Sequence, residues 1–156
     1  MDRAEASKQG LCMTFLDWEK AFDRVKQDKL IEALTRMNID PKFINAINSL
    51  YSKPSFRVKI DGTKSKWYDQ KSGIRQGCPL SPYLFLIVMT VIFRDVHDGL
   101  DIESGKLAGL SYTELLYADD TALVTADLES MDKLIAKIEI CAQYHGLNST
   151  KQNALV

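Results

Sequence analysis

The order of hydrophobic and polar positions along the chain outlines a mixed fold. Leu11 to Leu16 is a short apolar run ending on Asp17, the pattern of a buried strand. Asp28 is placed to cap a helix whose apolar positions are Leu30, Ile31, Leu34 and Met37. Asp40-Pro41 opens another, with proline at its first position and Phe43, Ile44, Ile47, Leu50 and Tyr51 along one face. Phe56, Val58 and Ile60 alternate with Arg57 and Lys59, which predicts a half-exposed strand. Asp61-Gly62 is a turn signal, with Lys66 to Gln70 as the returning partner. Ser72 to Gly77 reads as a loop with two glycines. Ser81-Pro82 then caps a long helix to about Asp98, apolar nearly all round at its start and therefore buried.

Asp98 to Gly109 reads as a polar connection. Leu115 to Ala118 and Thr121 to Thr125 are two short strands around Asp119-Asp120, which reads as a hairpin tip. Asp127 can cap a last helix with Met131, Leu134, Ile135, Ile138 and Ala142 on one face, and Gly146 ends it. Helices mixed with hairpins predict an α+β fold, with helices on one face of a mainly antiparallel sheet. The expected organisation is a polar segment over residues 1–10 and one domain over 11–156.

Composition narrows the class. The hydrophobic fraction of 46% and charged fraction of 26% suit a soluble globular chain and exclude a disordered tail. No run reaches the roughly 18 apolar residues of a membrane span, and Tyr83 to Phe93 is too short. The first ten residues lack the apolar core of a secretion signal, so an intracellular site, nuclear or cytoplasmic, is expected. Cys12, Cys78 and Cys141 are an odd number and widely spaced, which suits buried or incidental thiols in a reducing compartment. His97 and His145 fall near helix ends and are expected to be helix-end cations or surface residues. Trp18 and Trp67 are expected to pack.

Net charge is −1, but the average hides an asymmetry. Lys53 to Gln76 holds seven Lys/Arg against two Asp, whereas Asp95 to Asp132 holds ten acids against one Lys. A basic surface beside an acidic region suits a phosphate backbone next to a metal site; a patchy solvated surface gives the same pattern.

Three acids stand where buried strands end: Asp17, and Asp119 with Asp120. Two carboxylates about 4 Å apart repel by roughly 4 kcal/mol at an effective dielectric of about 20. If the fold brings Asp17 beside Asp119, a divalent cation is the natural remedy, and hard oxygen ligands select Mg²⁺ or Mn²⁺. The plainer alternative is that Asp119-Asp120 is a turn pair, since Asp favours turns.

Three segments together resemble the reverse transcriptase family, most closely the enzymes of non-LTR retrotransposons and group II introns. Phe15-Leu16-Asp17-Trp18-Glu19-Lys20-Ala21-Phe22-Asp23 looks like its first palm motif. Gly73-Ile74-Arg75-Gln76-Gly77-Cys78-Pro79-Leu80-Ser81-Pro82 looks like its second, and Tyr117-Ala118-Asp119-Asp120 like its metal-binding box. The order is the family's, and the resemblance extends from about Leu11 onward.

The resemblance implies a polymerase palm: a ferredoxin-like antiparallel sheet with helices on one face and an extra β-hairpin. It implies RNA-directed DNA synthesis, in which a primer 3′-hydroxyl attacks a deoxynucleoside triphosphate with RNA as template. Asp17, Asp119 and Asp120 would hold two Mg²⁺ or Mn²⁺ ions. Phe22 falls on the steric-gate position, and Gln76 and Gly77 near the incoming nucleotide. Arg75 would contact phosphate. Lys151 would assist the leaving pyrophosphate, although Gly146 to Lys151 is about two residues shorter than the family's motif. About ten residues precede the first motif, so the fingers and thumb are expected from a longer parent chain. The isolated chain is expected to bind Mg²⁺ weakly and to polymerise little or not at all. Two other readings are a non-catalytic, maturase-like RNA-binding module and an inactive remnant of a retroelement.

Overall fold

In a computed structural model, residues 10–107 and 110–155 are described; the side chains of residues 107 and 151–155 lie outside the described set, as do the first nine residues of the expected N-terminal segment. The chain folds as two compact units. One combines the residues up to Ala21 with those from Ile92 onward, and the other is Phe22–Val91.

The first unit is built on a four-stranded antiparallel sheet. Its strands are β1 (Cys12–Trp18), β8 (Glu114–Tyr117), β9 (Asp120–Thr125) and β10 (Ser149–Leu155). Their spatial order is β10-β1-β9-β8. Counted in chain order this is fourth, first, third, second, with helices in the crossovers: the ferredoxin-like arrangement. In β1 the period of two sends Cys12, Thr14, Leu16 and Trp18 to a buried face and exposes Phe15 and Asp17. Thr121, Leu123 and Thr125 of β9 are buried in the same rhythm.

Helix α5 (Leu128–His145) packs against β9. Met131, Leu134, Ile135, Ile138 and Ala142 form its buried face, as the 3.6-residue period predicts. Asp127 caps it, Oδ1 accepting from the Ser130 amide at 2.7 Å. At the other end Gly146 takes φ 92°, and the amides of Gly146 and Leu147 donate to Gln143 and Ala142, the bond pair of a Schellman cap. The turn delivers Leu147, fully buried, and then β10 beside β1. Strand β10 has no sequence signature, because its residues are mostly polar and β1 recruits it through backbone pairing. The expected polar connection also contains structure: β6 (Gly105–Leu107) pairs with β7 (Leu110–Tyr112).

His145 ends the helix, as expected, but is not a surface residue. It is 1% exposed, on the same inward stripe as Ala142 and Ile138, and its Nδ1 bonds the Cys141 carbonyl at 3.0 Å. His97 also sits at a helix end, where Nε2 meets both carboxylate oxygens of Glu114 at 2.9 and 3.1 Å.

The second unit opens on one helical turn, α1 (Ala21–Arg24), followed by α2 (Gln27–Arg36) and α3 (Pro41–Tyr51), which pack together. Asp40 caps α3 as expected, accepting from Lys42 N at 2.9 Å. Asp28 does not cap α2: the cap position is Lys26, and Asp28 lies in the first turn, where a negative charge suits the helix dipole. Only Ile47 and Tyr51 of the expected α3 face are buried, while Phe43 and Leu50 are exposed.

The next segment forms a two-stranded hairpin in two pieces. Strand β2 (Ser55–Phe56) pairs with β5 (Tyr68–Asp69), and β3 (Lys59–Ile60) with β4 (Thr63–Lys64). Asp61 and Gly62 both take positive φ, 48° and 83°, the requirement of a tight two-residue turn. The register slips by one residue between the pieces, and Val58 bridges the slip with bonds to Ser65. Helix α4 (Ser81–His97) runs from this unit into the first, burying Leu84, Phe85, Val88 and Met89 before the junction and Ile92, Phe93 and Val96 after it.

The carboxyl of Asp127 is held below its ordinary 3.8, first by the Ser130 amide and then by the Ser130 hydroxyl. A depressed carboxyl stabilises the fold above its unfolded pKa, and that contribution is lost as pH falls through the folded value. Urea unfolding followed across an acid pH series should therefore show stability falling below about pH 4, with a shallower fall in Asp127→Asn. Identical pH slopes for the two chains would exclude the cap as a source of that dependence.

Candidate active site

The sheet of the first unit presents its acids at one end of the exposed face. Phe15 pairs with Ala122 and Leu16 with Thr121. One further step along this ladder brings Asp17 level with Asp120, the first residue of β9, and residues level in an antiparallel pair share a face. Both carboxylates are exposed, and both line a cavity of about 460 Å³ with Phe15, Leu115, Leu116 and Tyr117. On the buried side of the same strand end, Trp18 Nε1 donates to Thr121 Oγ1 at 3.0 Å. That bond ties β1 to β9 directly behind the acids. Trp18 is thus a packing residue, as expected.

The hairpin tip differs from its sequence reading by one residue. Tyr117 pairs with Asp120, so the two turn residues are Ala118 and Asp119, and Ala118 takes φ 56°. Asp119 is exposed on the turn, outside the ladder, and does not line the cavity. The pairing that levels Asp17 with Asp120 does not fix its position. Among the described residues, no three His, Cys, Asp or Glu side chains gather as a group able to hold a metal ion. Lys151 lies in β10 with its backbone opposite Leu16; its side chain is outside the described set.

The second unit holds the other predicted residues. Phe22 stacks on Phe85, ring centroids 5.0 Å apart and planes inclined by 20°. It lines a cavity of about 520 Å³ with Gln76, Gly77, Cys78, Pro79, Ser81 and Pro82. Phe22 is therefore both a core contact and a cavity wall. Gln76 Nε2 donates to Asp23 Oδ1 at 2.9 Å. Asp23 belongs to the first motif, but only this contact gives it a task, which the sequence did not signal.

The loop that carries Gln76 is held closely. The amides of Gly73 and Ile74 donate to the carbonyls of Val25 and Phe22, both at 2.7 Å. Gly73 takes φ 85°, and a Cβ there would lie 2.8 Å from Asp23 Cα and O. Its role is close backbone approach, which only glycine permits, rather than loop flexibility. Gly77 also has positive φ, 79°, but with open space around it. Arg75 does not line the cavity; its Nη2 donates to the Leu50 carbonyl at 3.2 Å, at the end of α3.

Of the cysteines, Cys78 lines the cavity of the second unit. All three are free. Burial, with Asp127 nearby, pushes the Cys12 thiol up, and burial raises Cys141 as well. Among the described residues no helix is long and apolar enough to cross a membrane.

Two strand-borne acids, Asp17 and Asp120, with Asp119 on the adjoining turn, are what the first unit presents, and comparison with known proteins gives the family. Residues 1–152 match the family described as reverse transcriptase (RNA-dependent DNA polymerase). The chain belongs to this family. It is 33% identical over 140 residues to a retrovirus-related Pol polyprotein of the type-1 retrotransposable element R2 from Nasonia vitripennis, covering 89% of this chain and 13% of that protein. It is 32% identical over 137 residues to a 149 kDa protein of transposon TX1 from Xenopus laevis, covering 82% and 10%. An RNA-directed DNA polymerase of the mobile element jockey from Drosophila melanogaster is 30% identical over 123 residues, covering 78% and 13%. The chain thus spans only about a tenth of the length of these relatives. The fold also matches telomerase from Candida tropicalis, solved with the TWJ fragment of telomeric RNA, at a TM-score of 0.67 and 17% identity, over 97% of this chain and 27% of that one.

The two loop glycines separate space from conformation. Gly73→Ala adds a Cβ against the Asp23 backbone as well as an unfavourable φ, and should lower unfolding free energy by about 1–3 kcal/mol in urea titrations. Gly77→Ala adds only the unfavourable φ and should cost less, about 1 kcal/mol. Equal losses would show that the approach of Gly73 to Asp23 is unimportant.

Proposed function

We propose that the chain supplies the catalytic palm of an RNA-directed DNA polymerase, from about Leu11 onward, and extends a DNA primer on an RNA template. The observation that carries this reading is the meeting of Asp17 and Asp120 on one cavity wall, with Asp119 on the adjoining turn. In the proposed reaction a primer 3′-hydroxyl attacks the α-phosphate of a deoxynucleoside triphosphate and pyrophosphate leaves.

The donor set fits a hard divalent cation. Mg²⁺ takes one or two carboxylates and completes its shell with water and substrate phosphates, so it needs no closed cage of three protein ligands. Asp17 and Asp120 would supply oxygens from the cavity wall, and Asp119 from the turn. Two bound Mg²⁺ or Mn²⁺ ions would supply activation of the attacking hydroxyl and stabilisation of the leaving oxygen. The chain's own contribution is positioning. The β1–β9 ladder and the Trp18–Thr121 bond would hold Asp17 and Asp120 at a fixed spacing, which lowers the reorganisation needed during reaction.

Phe22, braced by Phe85, would act as the gate that rejects a 2′-hydroxyl, the group that distinguishes RNA precursors from DNA precursors. Gln76, held by Asp23, and Gly77, with open space at its α-carbon, would face the incoming nucleotide. Arg75 and Lys151 would contact phosphate, Arg75 after leaving the Leu50 carbonyl. Fingers and thumb would come from a longer parent chain, and the setting would be intracellular, nuclear or cytoplasmic. A retroelement origin is supported by the R2, TX1 and jockey relatives.

Mn²⁺ binding, followed by the loss of its free paramagnetic signal, tests the metal acids without requiring polymerisation. Asp17→Asn and Asp119→Asn should each weaken binding by at least about tenfold, the loss that even outer-shell partners of a metal cause. Variants that bind Mn²⁺ like the parent would sink the assignment. RNA affinity that survives Asp17→Asn while Mn²⁺ affinity is lost would place template binding elsewhere on the chain.

A further inference from the structure

The hairpin of the second unit is unusual in what it leaves uncovered. Every residue of β2, β3, β4 and β5 is exposed. An isolated two-stranded hairpin is only marginally stable in water, so the composition of its surface asks for a reason. Lys59 pairs directly with Lys64, and like charges directly opposite one another destabilise a ladder. Among the described residues, no ion pair engages Arg57, Lys59, Lys64 or Lys66.

The aromatic groups are arranged among these cations. Trp67 is 61% exposed, contrary to its expected packing role. The register slip frees it from the ladder, and Arg57 lies over its ring, Cζ 4.8 Å from the centroid. Lys66 Nζ stands 5.3 Å from the Tyr68 centroid, and Tyr68 stacks on Phe56 at 5.8 Å. A patchy solvated surface explains the lysines but not aromatic rings held open among them.

We propose that this hairpin is a binding surface for single-stranded nucleic acid, with Arg57, Lys59, Lys64 and Lys66 engaging phosphates and Trp67 stacking on a base. Unpaired cations interleaved with exposed rings are the two components such sites combine. A phosphate between Lys59 and Lys64 would relieve their repulsion. Base stacking requires an unpaired strand, because bases within a duplex are already stacked. The surface is distinct in sequence from the metal acids, and the inference stands on the hairpin's chemistry rather than on polymerase activity.

The test is fluorescence anisotropy of a fluorescein-labelled oligouridylate against the 156-residue chain over a range of KCl concentrations. Trp67→Ala should weaken binding about tenfold, and Trp67→Phe, which keeps a ring, should retain most of the affinity. The double variant Lys59→Gln, Lys64→Gln should lower the slope of log affinity on log salt by about 1.4, at roughly 0.7 per phosphate of a single strand. Wild-type affinity in Trp67→Ala would overturn the proposal, as would an equal loss in Trp67→Phe or an unchanged salt slope in the double variant. So would a loss in Trp67→Ala that is equally large for a labelled duplex, because stacking on Trp67 needs an unpaired base. The hairpin variants should keep wild-type Mn²⁺ affinity, so failure here and failure of the metal assignment are separate results.

Discussion

The antiparallel pairing of β1 with β9 is the constraint on which the site depends. A slip of one residue would turn Asp17 to the buried face and Leu16 to the exposed one, because side chains alternate with a period of two. Burial of Leu16 and Trp18 on one side and of Thr121 and Leu123 on the other makes such a slip costly. The Trp18–Thr121 bond adds a directional lock, since a buried indole N–H without an acceptor would be penalised. The carboxylates are thus held by apolar and polar contacts on the opposite face of the sheet, and those contacts leave the acids free of structural duty.

The second unit solves a related problem with backbone rather than side chains. The loop after Ser72 must run close to the turn at Phe22 and Asp23. Gly73 permits this by lacking a Cβ, and two short amide bonds fasten the approach. Asp23 is then free to orient Gln76, while Phe85 from α4 braces Phe22. Phe22 and Gln76 therefore each have a supporting partner, the arrangement that keeps a site's geometry within the small tolerance chemistry requires.

Much of this was legible in the sequence because it rests on local chemistry. Asp40 and Asp127 accept from amides two or three residues away, so their identity is enough to place a helix start. Gly146 and Asp61-Gly62 mark positive φ, a steric property of a single residue or a pair. The three motifs carried the family because chemistry that needs particular residues at particular strand ends leaves a fixed order along the chain. Asp28 misled because an acid in the first helical turn and an acid at the cap look alike in sequence.

What remained was set by contacts between distant residues. Strand β10 forms from polar residues because β1 offers it an unpaired edge, and a backbone edge does not depend on side-chain identity. His145 is buried because the stripe it lies on faces the core, although its position near the helix end suggested otherwise. Trp67 is exposed because a register slip in an uncovered hairpin releases it. The sequence by itself determined the family and the helix starts at Asp40 and Asp127 and nominated the three acids, since these depend on residue type and near neighbours. Only the tertiary structure decided that Asp17 stands level with Asp120 while Asp119 lies on the turn, because strand register is a sum of burial and pairing energies over the whole sheet.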